Sequence, residues 1–205
     1  MKTEIILIGG GGHCKACIDV IEKTGQFQIT GIIDKIEQRV LGYPFVASDD
    51  ELPLVTRQSN KLLITIGQIK SPEKRLRIYE RIMKLGGNLA KVVSPLAYVS
   101  RHARIGKGTI VMHGAVVNAG ADIGENCIIN TRAIVEHDVA IESHCHISTG
   151  AVANGNVKIG SRTFVGSQTV IKENVRIGSG CTLSAGVRIM KNVAAETTIR
   201  GSSDA

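Results

Sequence analysis

A chain of 205 residues, 43% apolar and 21% charged, has the balance of a folded globular protein and enough length to bury its own core. It has no Trp, 3 Phe and 3 Tyr, so Val, Ile and Ala must fill that core and no aromatic platform exists for stacking nucleic-acid bases. The net charge of +7 is spread over both halves rather than gathered in a basic tail, which excludes a nucleic-acid-binding arm and suits a small phosphate-bearing ligand.

No apolar run approaches the ~20 residues of a membrane span, and Met1 to Ile8 lacks the parts of a signal peptide. A cytoplasmic protein without membrane insertion is expected. Five cysteines, an odd number at 14, 17, 127, 145 and 181, suit reduced thiols. Cys14 and Cys17 form a C-x-x-C, which reads as a redox pair at a helix N-terminus or as two reduced thiols, with no second pair to complete a zinc site.

The first element is a strand over Glu4 to Ile8, followed by Gly9-Gly10-Gly11-Gly12-His13 and a helix to about Lys23. A second strand, Gln28 to Ile33, ends at Asp34. A third, Lys61 to Ile66, ends at Gly67 and precedes an amphipathic helix from about Ser71 to Leu85. This β-α-β-β-α order predicts a small α/β, Rossmann-like unit over residues 1–91. The third glycine of G-x-G-x-x-G falls on Cys14, so the dinucleotide fingerprint fails. Two readings of the run stay open. It is a tight strand-to-helix turn, or its backbone N–H groups cradle a phosphate with Gly11, Gly12, His13 and Gly67 as substrate contacts. Asp34 is either a strand-end turn residue or a ribose or base contact.

From Val93 an aliphatic residue recurs every six positions through Ile189, with the one exception of Ala153, and a small or β-branched residue follows each by four. A period of six fits no α-helix. In an extended chain, residues i−2 and i share a side, so each hexad points one small and one aliphatic side chain inward. Gly108, Asn126, Asn156, Asn174, Gly180, Gly186 and Asn192 fall in one turn slot, as a tight or left-handed backbone prefers. The prediction is a parallel β-helix over residues 92–193, three hexads to a coil, followed by a tail over 194–205. Cys127, Cys145 and Cys181 occupy the small inward slot. Residues 18 apart stack on one corner, so Gly155 neighbours His137.

Three segments carry a resemblance: Asn130 through Glu136-His137-Asp138, His144-Cys145-His146 through Gly150, and Asn154-Gly155-Asn156 through Gly160. With the GGGGH turn and the Ile66-Gly67-Gln68 to Lys74-Arg75 stretch, the chain resembles the bacterial sugar acetyltransferases of the left-handed β-helix superfamily. The subgroup is that of sialic acid O-acetyltransferases and nucleotide-linked 4-amino-sugar N-acetyltransferases. The resemblance implies a left-handed prism and a homotrimer with acetyl-CoA lying between adjacent prisms. It implies His137 as the catalytic base, Asp138 as the acid orienting it, and Asn130 near the acceptor amine. His146 and Gly155 are implied as acetyl-CoA contacts, the latter through its N–H.

The expected reaction moves an acetyl group from acetyl-CoA to the 4-amino group of a nucleotide-linked sugar, for surface glycan or glycoprotein biosynthesis. O-acetylation of sialic acid or a related sugar is the alternative, and a non-catalytic solenoid is the alternative of another class. No metal is expected, since His144 and His146 are seven and nine residues from His137 and neither stacks on it. Family members finish in a G-x-P-A-K-like tail, and this chain lacks it.

Overall fold

The structure is a computed structural model and describes residues 2–58, 61–69 and 71–201. Four parallel strands, β1 (Thr3–Ile8), β2 (Phe27–Ile33), β3 (Phe45–Ala47) and β4 (Lys61–Ile64), form a sheet in the order β3-β2-β1-β4. Strand β1 is central and covered on both faces, which is why it reads as a continuous apolar run. Helix α1 (Gly12–Thr24) buries Cys14, Cys17, Ile18, Val20 and Ile21 on one side. Helices α2 (Leu52–Gln58) and α3 (Glu73–Lys84) cover the other.

Two elements depart from the predicted β-α-β-β-α order. Strand β3 is three residues at the sheet edge, too short to show a period, and it approaches β2 at Gly31, where a Cβ would lie 2.1 Å from the Val46 side chain. Helix α2 follows a turn whose acidic end is a cap: Ser48 N–H and Oγ both donate to Glu51 Oε2 at 2.9 Å. Strand β4 ends at Ile64, two residues before the predicted end at Ile66. There Thr65 Oγ1 donates to Gly9 O at 2.6 Å and the chain turns away from the sheet.

The rest of the chain winds into a triangular prism of three parallel sheets. Each strand pairs with the one a coil away, as in Ile128↔His146, Ile134↔Val152 and Ala140↔Lys158. The inward aliphatic series and Cys127, Cys145 and Cys181 form one buried core. The turn slot is left-handed as its Gly and Asn content implies, with φ of 53° at Asn126 and 57° at Asn156, yet Asp138 (60°) and Arg162 (61°) adopt it too. Stacking neighbours, rather than residue type alone, enforce that turn.

The end differs from the prediction. Ile177 bridges Val193 and Leu183 pairs with Ile199, so this coil advances 16 residues instead of 18. Asn192 accordingly leaves the left-handed slot, and its Oδ1 accepts the Arg176 N–H at 2.8 Å in place of a backbone carbonyl. Winding thus continues past Val193 into the expected tail as far as Ile199, while residues 202–205 lie outside the described set. Among the described residues no helix is long and apolar enough to cross a membrane.

Outward side chains distinguish the three faces. Val92, Ile110, Ile128 and His146 are buried beneath the α/β unit, where Ile110 and Ile128 join α1 and the sheet in one cluster. A second face carries Arg104, Asp122, Lys158 and Arg176. The third carries Tyr98, Val116, Ile134, Val152 and Val170, with none of the described residues packed over it; Tyr98 is 60% exposed.

Candidate active site

The corner leaving the third face carries His137 and Asp138. His137 Nδ1 lies 2.9 Å from Asp138 Oδ2, and both side chains are exposed. A carboxylate accepts only, so Nδ1 carries the proton and Nε2 presents its lone pair. The ring stands over Gly155 one coil on, where a Cβ would fall 2.6 Å from Nε2. Glycine is therefore required by the imidazole's position. Asn154 spends its side-chain amide on Ile171 O, and among the described residues Gly155 N–H has no acceptor. The Asp138 carbonyl accepts from Lys158 Nζ at 2.9 Å, which ties the acid-bearing turn to the next coil.

Asn130 is not beside His137 within one chain. It sits at the corner entering the third face, where its Nδ2 is 3.0 Å from His146 Nε2 and its Oδ1 accepts the Thr131 N–H. His146 Nδ1 donates to the Gln68 carbonyl. The imidazole is thereby fixed as its neutral Nδ1–H form, with Nε2 accepting from Asn130. Burial lowers its pKa to about 4, with Arg75 adding to the effect and the Gln68 bond opposing it. His13 lies across from it, ring centroids 6.4 Å apart, with its pKa lowered to about 3 by burial first, then by Arg75 and His146. His13, Gly67, Gln68, Asn130, His146 and Phe164 line a cleft of about 540 Å³ between the α/β unit and the prism.

The glycine turn lies at the start of α1. Gly11 is its N-cap without a side-chain bond, and open space surrounds the Cα of both Gly11 and Gly12. Asp34 is spent on the backbone: Oδ2 accepts the Gly10 N–H at 2.5 Å and Oδ1 the Lys35 N–H at 2.6 Å. In this state it holds the turn closed, which is the strand-end reading. On the other side of the sheet, at the carboxyl ends of β1 and β2, a hollow of about 220 Å³ is lined by Lys35, Asp49, Lys74, Arg77 and Arg81 among others. Cys14 and Cys17 are fully buried and burial raises both thiols, which removes the nucleophilic thiolate a redox pair needs.

The two neutral histidines give the fold an acid sensitivity. Above pH 6.5 they are uncharged in folded and unfolded chain alike. Below it the unfolded chain takes up protons that the folded state refuses down to about pH 4. Unfolding free energy should therefore fall with pH, by up to about 1.4 kcal/mol per pH unit for each histidine. Urea midpoints measured between pH 7 and 5, above the ordinary carboxylate range, check this; a flat profile would contradict it.

Residues 4–82 match the family model of the PglD N-terminal domain, and residues 156–191 that of the bacterial transferase hexapeptide, six repeats. No curated protein matches the sequence significantly. A mutant perosamine N-acetyltransferase from Caulobacter crescentus, solved with CoA and GDP-perosamine, is 31% identical over 98% of this chain and 94% of its own, with a TM-score of 0.91. The acetyltransferase domain of PglB from Neisseria gonorrhoeae, solved with acetyl coenzyme A, is 30% identical over 98% and 97%, TM-score 0.91. The chain belongs to the sugar acetyltransferases of the left-handed β-helix family. WeeI from Acinetobacter baumannii, 22% identical over 98% of each chain, shares the fold with a TM-score of 0.85.

Against that family's architecture, the prism here is a left-handed helix capped on one face by the Rossmann-like unit. Two residues stand out to which sequence reasoning gave no role. Arg75 is 1% exposed and donates from Nη1 to Ile64 O at 2.6 Å and Ile66 O at 2.9 Å, anchoring the loop that presents Gly67 and Gln68. Burial lowers its pKa only to about 10, so it stays charged. The other is Gln68, at 2% exposure. Neither carried a signal in spacing, because their environment arises only when the sheet docks on the prism. Among the described residues no group of three His, Cys, Asp or Glu side chains is arranged to hold a metal ion.

Proposed function

We propose that this chain transfers the acetyl group of acetyl-CoA to the 4-amino group of a nucleotide-linked sugar. The single observation that carries the reading is the His137 corner: an exposed imidazole with Nδ1 bound to Asp138 and Nε2 free over Gly155. Its neighbour at 31% identity acts on perosamine and was solved with CoA and GDP-perosamine. In the proposed step, His137 Nε2 takes a proton from the amine as its nitrogen bonds to the thioester carbonyl carbon. Asp138 holds the imidazolium that results. Gly155 N–H donates to the carbonyl oxygen as it becomes anionic, a preorganised donor of the oxyanion-hole type. The C–S bond breaks and the departing thiolate recovers the proton from His137.

The nucleotide reading rests on the open glycine turn at Gly11 and Gly12 and on Lys35, Lys74 and Arg77 at the strand ends. Ligands of open parallel sheets bind outside the carboxyl ends of the strands. We further propose that the active unit is a homotrimer associated through the apolar third face. The predicted site residues divide between its two edges, His137, Asp138 and Gly155 on one, Asn130 with the His13 and His146 cleft on the other. Packing this face against a neighbour's would bring one protomer's base beside another's cleft. Ile134→Glu at the centre of that face should give a folded monomer by sedimentation and remove turnover with it. A trimer that keeps wild-type activity would defeat the assembly.

The reaction is tested by incubating the protein with acetyl-CoA and UDP-, GDP- or dTDP-linked 4-amino sugars, following thiol release and product mass. An N-acetylated product with one nucleotide supports the reading. An ester product, or turnover of none, overturns it.

A further inference from the structure

Gln68 carries an unresolved account in its side chain. It is 2% exposed, and among the described residues neither Oε1 nor Nε2 has a hydrogen-bond partner. Leaving a buried amide without partners is costly, and a bound ligand is one of the few things that accounts for such a group in a folded chain. Its backbone is already committed: the Gln68 carbonyl accepts from His146 Nδ1, and Arg75 anchors the preceding turn through Ile66 O. The backbone is therefore held in place while the two polar atoms of the side chain stay unspent among the described residues.

The residue stands where two hollows meet. One is the cleft of His13, Asn130 and His146; the other, of about 290 Å³, continues past Ser71 toward Arg162 and Glu196. Gln68, Phe164, Thr182 and the exposed Ile69 line both, making one groove with an apolar lip. His13 lines the same groove, and its shielded Nε2 likewise has no partner among the described residues. Asn130 and His146 bond each other, whereas Gln68 and His13 are the buried polar side chains of the groove without a partner among the described residues.

We infer that Gln68 is a substrate-contacting, specificity-determining residue whose side-chain amide pairs with a neutral group offering a donor and an acceptor together. A secondary amide of the pantetheine arm of coenzyme A has that chemistry, and so do adjacent hydroxyls of the sugar. A phosphate does not, because it would leave Oε1 facing an anion. The inference rests on the acetyltransferase reading for the identity of the two substrates.

Gln68→Met keeps the volume and the backbone carbonyl while removing both polar atoms. Calorimetry with acetyl-CoA alone and with each nucleotide 4-amino sugar alone measures binding without requiring turnover. The variant should bind one of them roughly ten- to hundred-fold more weakly, with the ligand-free melting temperature unchanged or raised. Weakening confined to acetyl-CoA assigns the partner to pantetheine; weakening confined to the sugar nucleotide assigns it to the hydroxyls. Unchanged binding of both, or a melting temperature lowered by several degrees with binding unchanged, overturns the inference. A wild-type protein that binds both substrates but transfers nothing would defeat the function reading instead and leave this result standing.

Discussion

His137→Ala should lower kcat/KM for the amino-sugar acceptor by about 10²- to 10⁴-fold, the range that general-base catalysis by a positioned side chain supplies. The side chain is exposed and, among the described residues, hydrogen-bonds only the adjacent Asp138, so its removal should leave the melting temperature and the oligomeric state as they are. KM for acetyl-CoA should change little, since the imidazole acts on the proton of the amine. Steady-state kinetics with thermal unfolding on the same preparation check this. Retention of wild-type kcat/KM would remove His137 from the mechanism.

Gly155→Ala should cost roughly 10²-fold in kcat/KM through a different cause. Its new Cβ would sit 2.6 Å from Nε2 and 2.7 Å from Cε1 of His137, closer than any non-bonded contact allows. The exposed ring is free to swing outward, so the substitution is relieved by displacing the base and not by unfolding the coil. The bond to Asp138 goes with it, and so does the alignment of Nε2 with the Gly155 N–H. Combining the two substitutions should lose no more than His137→Ala alone, because both remove the same positioned group. Additive losses would mean that Gly155 acts independently of the imidazole.

Much of the prism was legible because a six-residue period fixes both what points inward and where the chain turns. The inward slot of Cys127, Cys145 and Cys181 follows from register alone, as does the stacking of Gly155 on His137. One further signal lay in the same register. Outward residues 18 apart read Val92, Ile110, Ile128 on one face and Val116, Ile134, Val152 on another, both apolar, against Arg104, Asp122, Ala140 and Lys158, mostly charged, on the third. The first is the face covered by α1, whereas none of the described residues packs over the second. The contraction of the last coil was not legible, because Asn192 keeps the periodic residue type while its side chain replaces a carbonyl in the ladder. Strand β3 and helix α2 were missed for want of length, their stability coming from tertiary packing and one cap.

The candidate site was legible as residues but not as a constellation. Asn130 and His137, seven positions apart, share a motif in sequence and occupy opposite edges of a face in space. His13 and His146, 133 positions apart, meet with their rings 6.4 Å from each other. Their neutrality, the unspent amide of Gln68 and the buried charge of Arg75 come from the docking of two units, which no local pattern encodes.

The proposal that each site draws its base from one protomer and its cleft from another has a direct measurement. His137→Ala and Asn130→Ala, each of low activity as a homo-oligomer, are co-expressed under two affinity tags and the mixed species isolated. The isolated mixed trimers should recover about one third of wild-type activity, because in a ring of two variants only one of the three interfaces sets an intact His137 against an intact Asn130 from a different chain. Activity no higher than that of the separate variants would contradict the account.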